Sequence, residues 1–251
     1  MSRVIWKQSP LISWHRGGRE LAAHASREAF LDAIAHHAEL IEIDVRSTRD
    51  DHLIVWHDRD TPNGQSVRSQ TLAEVQRQME VWMWDEFVAA LAAGDPGRSI
   101  GVHLDLKDTG YELAAVDPLI ARGQPFFVTS LEQSSITLLR RERPGEDAFL
   151  TIGRAREGRS LVSYLILRAS ELLPMRNVRR TGATGVAIHH HLLRRHVRLW
   201  LRHQHLRVVV WTVNSTADLN VALRTDVIDA VTTNFPLKAI ELRAKLSTKG
   251  Q

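Results

Sequence analysis

The sequence predicts an α/β protein of the (β/α)8 barrel type, a TIM barrel, and three observations predict it. Short β-like apolar runs alternate with amphipathic helical stretches from one end of the chain to the other. Eight such strand–helix pairs can be laid along it. The length, 251 residues, is what eight pairs need, because barrels of this kind run to about 250 residues as one unit. A doubly wound open sheet is the competing arrangement, but no glycine-rich phosphate loop follows the first strand. The expectation is one domain over residues 1–251, with a short hairpin after the second strand.

The first strand is LISW at 11–14. Residues 26–38 then repeat Phe30, Leu31, Ile34 and Ala38 at helical spacing behind Ser26, a natural N-cap. The second strand, LIEIDVR at 40–46, is followed by HLIVW at 52–56, an added strand that turns back as the hairpin. In 80–93, Trp84, Phe87, Val88 and Leu91 share a helical face, and Gly94-Asp95-Pro96-Gly97 stops that helix. Strands at 100–106, 125–129, 148–152, 184–188, 207–213 and 227–232 complete the barrel. Helices near 112–122, 133–142, 160–175, 191–205, 216–224 and 236–246 complete its outer ring.

The hydrophobic fraction of 43% and charged fraction of 25% belong to a folded globular chain and exclude global disorder. The absence of cysteine excludes disulfides, thiolate metal sites and a cysteine nucleophile. The N-terminus has no apolar run long enough for a signal peptide, and nowhere do about 18 apolar residues follow one another. A cytoplasmic protein without a membrane span is expected. The net charge of +4 is uneven: residues 1–125 carry 13 basic and 19 acidic side chains, residues 126–251 carry 20 and 10. A basic half attracts polyanions, yet no nucleic-acid-binding motif accompanies it. The expected partner is a small-molecule or lipid phosphodiester, with the arginine-rich run from Arg176 to Arg198 available for steering.

Chemistry in such a barrel sits at the carboxyl ends of the strands. The first strand runs into Trp14-His15-Arg16-Gly17-Gly18. On the second, Glu42, Asp44 and Arg46 share one face, and on the third His103, Asp105 and Lys107 do the same. Either alternation alone equally describes a strand with one face in water. A closed parallel barrel has no solvated face, so these side chains must be paired or reach the open mouth. Three converging carboxylates repel one another unless a cation lies between them, and hard oxygen ligands select Mg2+ or Ca2+. Lys107 and Arg16 are then placed for an anion, and His15 and His57 for proton transfer near neutral pH. A phosphodiester is the substrate that needs this set.

These residues resemble the glycerophosphodiester phosphodiesterase family of TIM-barrel phosphodiesterases. The resemblance rests on His15-Arg16-Gly17, Glu42-Ile43-Asp44, His57-Asp58, Asp105-Leu106-Lys107, Trp211-Thr212-Val213-Asn214 and Thr233-Asn234-Phe235-Pro236, spread over residues 11–238. It implies that Glu42, Asp44 and Asp105 hold a divalent cation and that His15 and His57 are the catalytic acid and base. It implies too that Arg16 and Lys107 grip the phosphate and that Trp211 lines the alcohol pocket. The implied reaction is metal-dependent hydrolysis of a glycerophosphodiester to an alcohol and glycerol phosphate. Lysophospholipase D-like cleavage of a lipid diester and a non-catalytic phosphate-ester-binding barrel are the alternatives. The chain departs from the family pattern in Ala23-His24-Ala25-Ser26, where Pro-Glu-Asn-Thr is usual, which leaves a polar contact missing. It departs again in Asp105 for Glu and Asn234 for Asp.

Other features read as structural. Neighbours on a strand point in opposite directions, so His189-His190-His191 is a poor single-ion site, though one of the three can face the mouth. His36-His37 suits a helix end. His103 reads as a satisfied core histidine one layer below Asp105. Trp84 reads as core, and Trp82 with Trp6 as an exposed apolar patch.

Overall fold

Eight parallel strands close into a barrel in the computed structural model, which describes residues 4, 6, 10–153, 174–193, 195–204 and 206–248. The strands are β1 (Leu11–His15), β2 (Leu40–Ser47), β4 (Gly101–Leu106), β5 (Phe126–Ser130), β6 (Asp147–Ile152), β7 (Gly185–His189), β8 (Arg207–Trp211) and β9 (Ala230–Thr233). Neighbours pair in the order β1-β9-β8-β7-β6-β5-β4-β2, and β1 pairs with β2 to shut the ring. The expected hairpin is present: β3 (Leu53–Val55) lies antiparallel on the outer end of β2, with Val45 opposite Val55. The fold is a (β/α)8 barrel.

The helices are α1 (Arg27–Ala35), α2 (Leu72–Gln76), α3 (Trp84–Gly94), α4 (Glu112–Arg122), α5 (Gln133–Glu142), α6 (Pro174–Thr181), α7 (Arg195–Arg202), α8 (Thr216–Leu223) and α9 (Pro236–Thr248). Ser26 caps α1 by accepting from the Ala29 N–H at 3.2 Å. Leu31 does not join its buried face: at about 100° per residue it turns outward beside Phe30 and is 42% exposed. The sequence reading omitted α2, whose single turn is held by a Thr71–Glu74 capping box. Of the helix expected at 160–175, only the final two positions lie among the described residues, and there α6 begins. No helix among the described residues is long and apolar enough to cross a membrane.

Two apolar layers sandwich the sheet. Ile41, Ile43, Val45, Val102, Leu104 and Leu106 point outward under the helices. Inside, Leu11, Leu40, Phe127, Phe149, Val209 and Ala230 fill the amino-terminal end. The ring of Trp6 stacks on Phe149 and lies tilted against Phe127 there, with centroids 5.8 and 5.3 Å away. Trp82 is buried between Phe30 and Phe87. The expected exposed patch of Trp82 and Trp6 is therefore absent, because the two rings fill separate cores at different places in the barrel.

Above the apolar floor the inward positions become polar. Ser13 Oγ bonds His103 Nδ1 at 3.1 Å, His103 Nε2 bonds Thr129 Oγ1 at 3.0 Å, and Thr129 Oγ1 donates to Asp105 Oδ1 at 2.8 Å. Because the threonine proton goes to the carboxylate, His103 donates from Nε2 and accepts at Nδ1. His103 is the satisfied core histidine its position suggests. Burial pushes its imidazole down to about 3, so it stays neutral in this chain of hydrogen bonds.

Candidate active site

Strand register assembles the acidic cluster. His15 stands opposite Glu42 across the β1–β2 pair, and Asp44 stands opposite Asp105 across β2–β4. The two-residue period of β2 aims Glu42 and Asp44 the same way, inward at the mouth. One oxygen from each of Glu42, Asp44 and Asp105 lies within 4.8 Å of the others, and no second group of this kind occurs among the described residues.

Two cations brace the cluster. Lys107 Nζ is 2.8 Å from Asp44 Oδ1 and also bonds Asp105 Oδ2; Arg16 Nε is 2.8 Å from Asp44 Oδ2. Burial opposes charge on Asp44, but Lys107 and Arg16 together hold its carboxyl below the usual range. Burial likewise opposes charge on Lys107, and the three carboxylates around it hold the ammonium above its usual value. Glu42 behaves oppositely. Burial, and then the Asp44 charge beside it, push its carboxyl well above the ordinary range.

The donor set fits a hard divalent cation. One oxygen of each carboxylate lies within 4.8 Å of the others, and the repulsion that raises Glu42 is what such an ion relieves. Glu42, Asp44 and Asp105 are the residues able to hold it.

His15 is placed from the far end of the chain. Its Nδ1 is 2.5 Å from Asn234 Oδ1, which accepts, so Nε2 keeps the lone pair in the neutral ring and faces Glu42 Oε2 at 4.0 Å. Asn234 is itself fixed, since its backbone N–H donates to Asn214 Oδ1 at 3.0 Å. Burial and then the Arg16 charge push the His15 imidazole down to about 3.

His57 enters from the hairpin side. Its Nδ1 donates to Asp58 Oδ1 at 2.7 Å, which leaves Nε2 for other work. Arg46 pins the His57 carbonyl with Nε at 3.0 Å and Nη2 at 2.8 Å, while its Nη1 holds Asp108 at 2.7 Å. A cavity of about 300 Å³ opens here, lined by Arg16, His24, Asp44, Trp56 and His57 among others. A larger one of about 390 Å³ lies by Arg207 and Asp229, at the amino end of β8. In barrels that face serves stability, so its size does not make it the site.

Of the residues expected from the sequence, His15, Arg16, Glu42, Asp44, Asp105 and Lys107 form one contact network. His57 joins it through the cavity it shares with Arg16 and Asp44. Trp211 stands at the end of β8, edge-on to His189 at 5.1 Å, with its Nε1 buried and unpartnered. It does not line that cavity. At 23–26, where the sequence departs from the family pattern, the His24 ring lies 5.2 Å from that of His15. The sequence reading also missed the tasks of Arg46, Asn214 and Thr129. The alternation in Glu42-Ile43-Asp44-Val45-Arg46 pointed to the first. Only register and chain closure reveal the other two.

The chain is similar to known proteins in sequence and in fold. Residues 15–91 match the model of the glycerophosphoryl diester phosphodiesterase family. The chain is 25% identical over 240 residues to glycerophosphodiester phosphodiesterase GDPD4 of Arabidopsis thaliana, covering 90% of this chain and 71% of that one. It superposes on the crystal structure of a glycerophosphodiester phosphodiesterase from Parabacteroides distasonis with a TM-score of 0.74 at 20% identity, covering 98% of this chain and 100% of the other. A phosphodiesterase from Oleispira antarctica, in complex with the product sn-glycerol-3-phosphate, gives 0.70 at 17% identity over 93% and 96% of the two chains. At such identities the superpositions speak to the barrel alone.

Proposed function

We propose that this chain is a phosphoric diester hydrolase of the glycerophosphoryl diester phosphodiesterase kind, a reading supported by the match over residues 15–91 and the 25% identical relative, and that it splits a glycerophosphodiester into an alcohol and glycerol phosphate by metal-assisted hydrolysis. The observation that carries the reading is the convergence of three carboxylates, two cations and two histidines at the carboxyl end of the barrel. Glu42, Asp44 and Asp105 would hold Mg2+ or Ca2+. When bound, such an ion neutralises charge on the phosphate oxygens and orients the diester.

Arg16 and Lys107 add positive charge beside that position and stabilise the charge that builds on the non-bridging oxygens. His15, neutral at physiological pH, takes the proton of the attacking oxygen at Nε2. His57, oriented by Asp58, delivers a proton to the departing alcohol oxygen. One P–O bond forms, another breaks, and the elements of water are added across the diester. Trp211 stands outside the cavity lined by Arg16 and His57 and would meet only an alcohol that reaches across to the end of β8.

The observations behind the two alternatives weigh less here. Trp6 and Trp82 pack into cores and offer no joint apolar surface to a lipid. Asn234, which stands where the family pattern has Asp, bonds His15 directly. The test is a crystal soaked in Mn2+ and glycerol phosphate. An ion among Glu42, Asp44 and Asp105, with the phosphate against Arg16, is the expected result; an ion bound elsewhere contradicts the assignment.

A further inference from the structure

We propose that Nε2 of His24 accepts a hydrogen bond from a hydroxyl on the substrate's glycerol, making the loop between β1 and α1 a hydroxyl-recognition subsite beside the phosphate. The proposal rests on the phosphodiesterase reading above and deepens it.

The loop folds back over the first strand end. The Ala25 N–H donates to the Arg16 carbonyl at 3.2 Å and the Ser26 N–H to the Ala23 carbonyl at 3.0 Å. Ala25 adopts a positive φ of 64° to make that turn. The result carries His24 into the wall of the cavity it shares with Arg16 and His57. Its ring is 5.2 Å from that of His15 and inclined at 38°. The ring bonds the backbone carbonyl of His15, which uses one nitrogen as a donor. Nε2 is buried with no partner and is left as the acceptor of a neutral imidazole.

An unpaired buried acceptor is a penalty that a ligand donor removes. The chemistry of that donor is restricted by what surrounds it. A phosphate oxygen only accepts and cannot pair with Nε2. A cationic headgroup is repelled by the nearby Arg16 and Arg19, the same two charges that, after burial, push the His24 imidazole down. A neutral hydroxyl remains, and glycerol carries hydroxyls next to the phosphorus. Trp56 and Phe30 supply apolar walls to the same cavity. The subsite therefore favours diesters whose glycerol is unsubstituted at the recognised hydroxyl and disfavours those acylated there.

The experiment is calorimetric titration, in Mg2+, of sn-glycerol 3-phosphate and of n-propyl phosphate, which lacks the hydroxyls. Wild type, His24→Ala and His24→Gln are compared, and turnover of a glycerophosphodiester by wild type is followed in parallel. Wild type is expected to bind glycerol phosphate about tenfold more tightly, the share of one hydrogen bond. His24→Ala is expected to lose that preference with propyl phosphate affinity unchanged, and His24→Gln, which keeps an acceptor, to retain part of it. Equal weakening of both esters in His24→Ala overturns the proposal, as does an unchanged preference, the result expected if Nε2 meets only a water. If either occurs while wild type turns over its diester, His24 alone has been misassigned. If wild type binds neither ester and cleaves no diester, both readings fall.

Discussion

The imidazole of His15 and the side-chain amide of Asn234, 219 positions apart in sequence, meet at 2.5 Å between Nδ1 and Oδ1. A neutral oxygen in that place fixes the tautomer without adding charge, and burial then keeps the ring unprotonated. His15 thus presents a neutral ring with its lone pair at Nε2, as the proposed base requires. Replacing Asn234 by Asp sets a carboxylate against Nδ1–H and favours the imidazolium. Since the base works unprotonated, the acidic limb of the kcat/KM profile is expected to move to higher pH, by about one unit or more. An unmoved limb, followed down to about pH 3 where the His15 imidazole titrates, contradicts the assignment of His15.

Thr129 ties the neutral histidine of the barrel interior to the acidic cluster. Its hydroxyl accepts from His103 Nε2 and donates to Asp105 Oδ1. Thr129→Val keeps the shape and removes both bonds, so Asp105 loses its orientation. Calorimetry with Mg2+ or Ca2+ is expected to show binding weakened about tenfold or more, and Thr129→Ser to recover most of it.

Gly17 follows Arg16 and presses against the first helix. It has a φ of 77°, and a Cβ there would stand 2.5 Å from the Ala29 carbonyl carbon and 2.7 Å from the Phe30 nitrogen. Both obstacles are backbone. Gly17→Ala is expected to destabilise the fold by at least about 2 kcal/mol, combining a left-handed conformation with the clash. Denaturant unfolding measures it.

Asp95 supports the start of β4. Burial alone would raise its carboxyl, but the backbone N–H groups of Ile100 and Ser99 and the Gln124 amide hold it below the usual range. A depressed carboxylate stabilises the fold above its unfolded value, near about 3.9, and that stabilisation fades as pH falls through the folded value. Asp95→Asn is expected to lower stability by about 2 kcal/mol at neutral pH, with the gap from wild type closing below about pH 4. A gap independent of pH contradicts this.

The barrel was legible because its strands are buried on both faces and read as short apolar runs between helical stretches. Glu42, Asp44, Asp105 and Lys107 were legible because polar residues at alternating positions of a buried strand need a partner. Strand ends were less clear: the run at 227–232 begins late, at Ala230, because Ile228 belongs to a turn bonded to Thr225. His24 and Asn234 could be marked only as departures from a pattern. What they touch depends on a loop folding back and on β9 closing against β1, relationships among distant residues that no local spacing encodes.

Turnover tests the central claim most directly. Phosphorus NMR of glycerophosphocholine with the purified chain is expected to show glycerol phosphate forming in Mg2+ or Ca2+, stopping on chelation and resuming when the cation is restored. His15→Ala is expected to slow it by about a hundredfold or more. No product with either cation, or a His15→Ala rate equal to wild type, would contradict the account.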